Sequence, residues 1–423
     1  MSLMKATRYF LNLKQCERKS IFELHALQFK SLIKTLRFAY DEIPFYRDRF
    51  NALKLTPKDI RNWNDFEQFP FTSKSEIRNR KVSDFLSLHN FRNAWKSQTT
   101  GSSGIPITIY RNSETDALAK ALMQYGFYRV GVRPYDRFAQ LMAFLSEKPN
   151  PPGLVAKLGL KRFYGINLRL SDQEILNQLN YIKPHILYSF PSALFRLAEF
   201  MEHTGFQCHP KILISQGEVL PEPWRNKIES VFGVPLYHTY GSTEFPRIGF
   251  ECKNKNGYRL LPQAAIVEII DEKSRSLPLG EEGEIVLTHL NNYLMPFIRY
   301  RIGDHGMLSK RSCSCGIRYP LLEQVTGRMD DYLVLPSGQR VSARAVTHMQ
   351  FDGILQYKIV QKSPELIEVL VIPSSAFNEE TKNKITKVLS AGCFKEKVQI
   401  QITPVESLPT NRSGKLQLVS REF

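Results

Sequence analysis

At 423 residues, 42% of them hydrophobic, the chain can bury the cores of a large domain and a smaller one, which excludes a disordered polypeptide. Fifty-eight Lys and Arg against 41 Asp and Glu give a formal charge of +17, a field that draws nucleotides and other polyanions. No block of five or six consecutive basic residues accompanies it, so nucleic acid is not an expected partner. No apolar run reaches 18 residues, and the N-terminus lacks an apolar core followed by a small-residue cleavage site. The expectation is therefore no membrane span, no secretion and a cytoplasmic location. The cysteines Cys16, Cys208, Cys252, Cys313, Cys315 and Cys393 are scattered, which predicts free thiols rather than a disulfide framework; only Cys313 and Cys315 form a tight pair.

In chain order, residues 17–50 carry helical periodicity through Ile21, Leu24, Leu27, Leu32, Leu36 and Phe38, interrupted before Pro44, as two helices or one kinked helix. This basic amphipathic stretch is read as packed on its own domain rather than on a membrane. Ser73-Lys74-Ser75-Glu76 is a helix-start signal. From 105 to 290 the pattern alternates: helices at 113–130, 172–182, 191–203 and 221–232, with strands at 137–144, 185–189, 211–215 and 234–238. That alternation predicts an α/β fold with layered, substantially parallel sheets and helices. A β-rich part follows, with 265–270 and 283–287 as a hairpin. The last ninety or so residues suit a small α+β domain with a helix near 377–390.

Five motifs carry chemistry. Thr99-Thr100-Gly101-Ser102-Ser103-Gly104 precedes a strand; its glycines let backbone N–H groups converge on a polyphosphate and its hydroxyls add donors, though no Lys-Ser/Thr pair makes it a Walker loop. In Tyr240-Gly241-Ser242-Thr243-Glu244, following a strand, an aromatic ring can stack on a base, Thr243 can bond a phosphate oxygen and Glu244 can hold Mg²⁺. Tyr300-Arg301-Ile302-Gly303-Asp304 offers a carboxylate to ribose hydroxyls. Gly327-Arg328-Met329-Asp330-Asp331 and Leu408-Pro409-Thr410-Asn411-Arg412-Ser413-Gly414-Lys415 complete the series. Each alone suits an ordinary turn; it is their order and spacing together that speak.

In that order they resemble the acyl-adenylate-forming enzymes. The opening text Ile43-Pro44-Phe45-Tyr46-Arg47 and Phe69-Pro70-Phe71-Thr72 is similar to the phenylacetate-coenzyme A ligase branch, which includes capsular-polysaccharide and coenzyme F390 synthetase-like members. The resemblance implies ATP-dependent activation of a carboxylic acid to acyl-AMP, then transfer to a thiol of coenzyme A or of a carrier protein's phosphopantetheine. Transfer to an amine, and a relative that binds nucleotide or nucleic acid without catalysis, are the alternatives. By the same resemblance Thr99, Thr100, Gly101, Ser102, Ser103 and Gly104 cradle the phosphates, Gly217 and Glu218 meet the adenine edge, and Tyr240, with Gly241 and Ser242 beside it, stacks on the base. Thr243 and Glu244 serve phosphate and Mg²⁺, Asp304 the ribose, and Arg328 the ribose and phosphate.

Lys415 matches the lysine of a mobile lid, which places an ATP- and acyl-binding domain at 1–329, a lid at 330–423 and the hinge at Asp330. Ile105 stands where the family usually has lysine, with Lys96 a neighbour able to supply the charge. The acyl pocket is expected near Ala143, Phe144 and 188–192. Cys252, Cys313 and Cys315 resemble three ligands of a structural Zn²⁺, with Arg259 in the place of the expected histidine and His305 or His238 as substitutes. A homodimer is left open.

Overall fold

The computed structural model describes residues 2–98, 107–143, 159, 162–328, 332–342, 351, 353–394, 396–411 and 414–423. By packing the chain forms two units, Met1–Gly131 with Thr239–Val325 and Val132–His238 with Thr326–Phe423. The phosphate-type loop 99–104, Ile105 and the hinge Asp330 lie outside the described residues, as does Phe144. Among the described residues no helix is long and apolar enough to cross a membrane.

In the first unit the basic N-terminal stretch is two helices, Ile21–Glu42 and Pro44–Ala52. Ser20 and Glu23 form a reciprocal capping box at the start of the first, and Pro44, whose missing N–H costs nothing in a first turn, starts the second. Leu24, Leu32, Leu36 and Ala39 are buried, whereas Ile21 and Leu27 of the expected apolar face are exposed. Ser73 and Glu76 cap the short helix Lys74–Arg78 as the sequence signals. The strands Ala265–Ile270, Glu282–His289 and Tyr300–Leu308 run in that order as antiparallel neighbours, and Tyr258–Leu260 pairs antiparallel with both Leu321–Arg328 and Gly249–Glu251. The hairpin expected at 265–287 is present.

Arg299 precedes the strand that carries Asp304 and is fully buried with φ of 45°, a region costly for a side chain with a Cβ. It is held there by bonds to the Glu268 carboxylate (2.8 Å), to the carbonyls of Phe69 (2.7 Å) and Glu67, and by the Phe71 ring, 4.1 Å from its guanidinium. Thr72 then bridges the strand start, donating its N–H to Arg299 (2.8 Å) and accepting from Arg301 N–H (2.9 Å). The opening motif Phe69–Thr72 is therefore a brace for the Tyr300–Asp304 segment.

In the second unit the strands Arg162–Asn167, Arg137–Met142, Ile186–Ser189 and Ile212–Gln216 lie side by side, all parallel. Helices Asp172–Ile182, Pro191–Thr204 and Glu222–Phe232 cover them, and Leu176, Leu179, Leu194, Leu197, Leu213 and Ile228 fill a shared core. Burying such a side chain contributes about 1.5–3 kcal/mol, so the layer is a packed scaffold for the turns at its strand ends. The C-terminal part of this unit has a four-stranded sheet in the order Gln399–Pro404, Leu366–Pro373, Ile354–Ser363, Val419–Arg421, with helix Glu379–Lys387. Among the described residues its core is drawn from residues 333–419. The fold is thus α/β with a small α+β part at the C-terminus, as expected.

Candidate functional site

In the first unit the chain leaves the strand Leu236–Tyr240 into a closed loop: Ser242 N–H donates to Phe245 O (2.8 Å), Phe245 N–H to Ser242 Oγ (3.0 Å), and Ile248 N–H back to Tyr240 O (2.9 Å). The loop turns the Glu244 carboxylate inward, where it is 3% exposed and accepts a hydrogen bond from Tyr300 OH at 2.9 Å. Four residues along the same strand Asp304, also buried, accepts from Tyr240 OH at 2.7 Å. The second and third motifs therefore meet through two tyrosine hydroxyls.

Two residues that the sequence did not single out fix this loop. Arg111, at the end of the strand that follows the phosphate-type loop, donates to Thr243 O at 2.6 Å. His289 stacks on Phe245 with ring centroids 3.8 Å apart, accepts from Phe297 N–H (3.1 Å) and hydrogen bonds the Glu244 backbone. Burial, then the Arg111 charge, lowers the His289 pKa to about 3, so it serves as a neutral ring. Its only sequence-level signal is a histidine in an apolar strand. Lys96 lies in the strand Trp95–Gln98, opposite Tyr110 in the two-stranded ladder that flanks the phosphate-type loop.

In the second unit the Ser-Gln-Gly-Glu turn ends the strand Ile212–Gln216, and the Lys415 turn lies on it. Asn411 N–H bonds Lys415 O (3.0 Å), Gly414 N–H bonds Asn411 O (2.9 Å) and Lys415 N–H bonds Asn411 Oδ1 (3.1 Å), closing a tight hairpin. Gly414, φ +82°, presents its bare Cα to Ala143 and Leu168, which a Cβ would approach to 3.1 and 3.2 Å. A Cβ on Gly217 would stand 3.0 Å from both Cε and Nζ of Lys415, so glycine there makes room for the lysine. Lys415 Nζ also sits 5.7 Å from the centroid of the Phe190 ring. The fifth motif and the expected adenine turn are therefore together.

Glu218 lies between them, half-buried. Burial raises its pKa to about 7, against the opposing pull of bonds from Ser192 N–H and Oγ, from Leu416 N–H and of the Lys415 charge. Arg328 ends the strand Leu321–Arg328; its side chain is outside the described residues.

His238, a candidate zinc ligand, instead has Nδ1 at 2.6 Å from Ser215 Oγ and hydrogen bonds to the backbone of Glu218 and Ser215. Burial, then the Arg225 charge, drops its pKa from 6.5 to about 3. A depressed folded pKa means that the unfolded chain takes up a proton below 6.5 while the folded chain does not. The contribution is intact above 6.5 and falls by about 1.4 kcal/mol per pH unit as pH drops towards 3. Between about pH 7 and about pH 5 the stability gap between wild type and His238→Gln should therefore narrow by about 2 kcal/mol in urea unfolding; an unchanged gap contradicts this.

The thiols of Cys252, Cys313 and Cys315 lie within 4.8 Å of one another, and among the described residues no histidine joins them. The candidate His305 stands apart from the group, with its Nε2 buried and no hydrogen-bond partner among the described residues. Cys252 Sγ is 3.6 Å from Cys313 Sγ, close to the ~3.8 Å between thiolates sharing one tetrahedral zinc. Burial acts to raise the Cys313 thiol, but bonds from Cys315 and Cys252 and the charge of Arg259 bring it down to about 7. Arg259, almost fully buried, bonds Tyr319 O (3.2 Å) and offsets thiolate charge where a histidine ligand was expected.

Residues 333–422 match the family model described as the CapK C-terminal domain. Over 338 residues the chain is 28% identical to a phenylacetate-coenzyme A ligase of Aromatoleum evansii, covering 77% of this chain and 74% of the relative. Over 331 residues it is 26% identical to the phenylacetate-coenzyme A ligase of Escherichia coli K12, covering 75% and 74%. Its fold matches a 2-hydroxyisobutyryl-CoA ligase solved in the postadenylation state with an acyl-AMP, at TM-score 0.78 and 21% identity, covering 97% of this chain and 92% of that one. A second match is the anthranilate CoA ligase AuaEII with anthranoyl-AMP, at TM-score 0.56 and 16% identity, covering 76% and 65%. Over about three quarters of its length the chain is similar in sequence to phenylacetate-coenzyme A ligases, and its fold is that of the solved CoA ligases, the resemblance that its motifs suggest.

Proposed function

We propose that the chain activates a carboxylic acid with ATP as an acyl-AMP and passes the acyl group to a thiol, coenzyme A being the acceptor that its relatives' names carry. The observation that carries this reading is the Lys415 amine seated against Gly217 and Phe190, at the turn expected to meet adenine. In the first step an oxygen of the acid forms a bond to the α-phosphorus as the bond to the bridging oxygen breaks and pyrophosphate leaves. Anion approaches anion, so charge must be neutralised where it gathers in the transition state. Lys415 brings one cation there.

The other is Mg²⁺, for which Glu244 fits as a ligand: a buried carboxylate fixed by Tyr300, of the hard-oxygen type that Mg²⁺ prefers. Bound, it neutralises phosphate charge. Asp304 and Tyr240 hold ribose and base, Thr243 and the 99–104 loop bind phosphate, and Arg328 assists. In the second step the thiol sulfur bonds the acyl carbon and AMP leaves. For this step residues 330–423 move as a lid about Asp330, a division supported by the separate core at 333–419. A carrier-protein thiol or an amine as acceptor differs only in this half.

Incubating the enzyme with ATP, Mg²⁺, coenzyme A and a carboxylic acid panel should yield an acyl-CoA and AMP by mass spectrometry. Accumulation of acyl-AMP without thioester would point to another acceptor, and neither product would remove the reading. The cysteine trio serves as a structural Zn²⁺ site rather than a catalytic one. Elemental analysis should find stoichiometric zinc in the wild type and loss of it in Cys313→Ser; metal-free wild type rejects the site.

A further inference from the structure

We propose that the Glu218 side chain is a positioning residue, a half-buried latch that captures the Lys415 hairpin through the N–H of Leu416. The consequence for catalysis rests on the adenylating reading, whereas the latch itself does not. Glu218 Oε1 accepts from Leu416 N–H at 2.6 Å across a chain separation of 198 residues. The carboxylate is itself anchored at the start of the 14-residue helix Pro191–Thr204, where Ser192 N–H donates to Oε2 (2.9 Å) and Ser192 Oγ to Oε1 (3.0 Å). First-turn N–H groups have no partner within a helix, so a carboxylate is a fitting acceptor. Gln356 adds a second tie from the C-terminal sheet, its Nε2 lying 3.4 Å from Ser192 O.

The hairpin is closed on itself by Asn411, so holding one of its N–H groups holds the whole turn. Lys415 need not be gripped directly. Its amine keeps its reach into the space above Gly217 while the neighbouring peptide is pinned. An acceptor oxygen, not a full charge, is what the Leu416 N–H requires; glutamine retains one at the Oε1 position but turns its NH2 toward the Ser192 N–H, so it keeps the Leu416 bond and loses one anchor.

Hydrogen–deuterium exchange of the full chain, read on a peptide spanning Leu416, tests the latch without any substrate. Glu218→Ala should speed exchange there about ten- to a hundredfold, and Glu218→Gln, which keeps the Oε1 acceptor but loses the Ser192 N–H anchor, should speed it less. Unchanged protection at Leu416 in Glu218→Ala overturns the proposal. If that variant does not fold, Ser192→Ala, which removes one anchor of the carboxylate, should still raise exchange at Leu416, and wild-type protection in it overturns the proposal. In pyrophosphate exchange Glu218→Ala should lower kcat about ten- to a hundredfold with KM for ATP changed less than about threefold. A raised KM with unchanged kcat would make Glu218 a nucleotide contact only and sink the latch. Wild type inactive on every acid would instead remove the adenylating reading, with the exchange at Leu416 still deciding the latch.

Discussion

Replacing Lys415 by alanine is expected to slow acyl-AMP formation about 10²- to 10³-fold, the scale on which removal of one preorganised charge or donor acts. Thioester formation from supplied acyl-AMP should change less than about tenfold. The lysine matters in the first half because a carboxylate must reach a phosphorus surrounded by negative oxygens. The second half joins a thiol to an acyl carbon, and in the proposed cycle the lid is then turned away. Folding is not at stake, because Lys415 is only partly buried and the hairpin is closed by the Asn411 bonds and the Gly414 contact with Ala143 and Leu168. Rapid-quench measurement of each half-reaction checks this, and equal loss in both would contradict the division of labour.

Glu244→Gln should lower pyrophosphate exchange about 10²- to 10³-fold and raise the Mg²⁺ concentration needed for half-maximal rate at least about tenfold. The amide keeps an acceptor for Tyr300 OH, so the loop geometry set by Arg111, His289 and Tyr300 stays while the charge goes. A Mg²⁺ titration on wild type and variant separates this from a folding defect. An unshifted Mg²⁺ requirement would assign Glu244 a purely structural bond to Tyr300.

Local signals told the fold well. Ser73 starts a helix where the sequence signals one, Ser20 and Ser171 prove to be further caps, and the alternation from Arg137 to Tyr240 gives parallel strands under helices. Strand ends drifted by about two residues, as at Leu236–Tyr240, because hydrogen-bonded neighbours rather than apolar runs end a strand. The candidate residues Glu244, Asp304 and Lys415 were legible because each sits in a short run of residue types recognisable along the sequence, although their partners Tyr300, Tyr240 and Gly217 lie far away in it. Arg111, His289 and Arg299 were not, because each acts by bonding backbone far away in sequence; Arg111 reaches a carbonyl 132 positions on. The Glu218–Leu416 bond is of the same kind, joining a side chain to an N–H that any residue at 416 but proline would offer.

Carboxylate-dependent exchange of pyrophosphate into ATP, run across a broad acid panel with Mg²⁺, decides whether the chain adenylates an acid. Exchange is expected with at least one acid, absent without acid and nearly lost in Lys415→Ala. ATP bound by the protein with no exchange on any acid would contradict it.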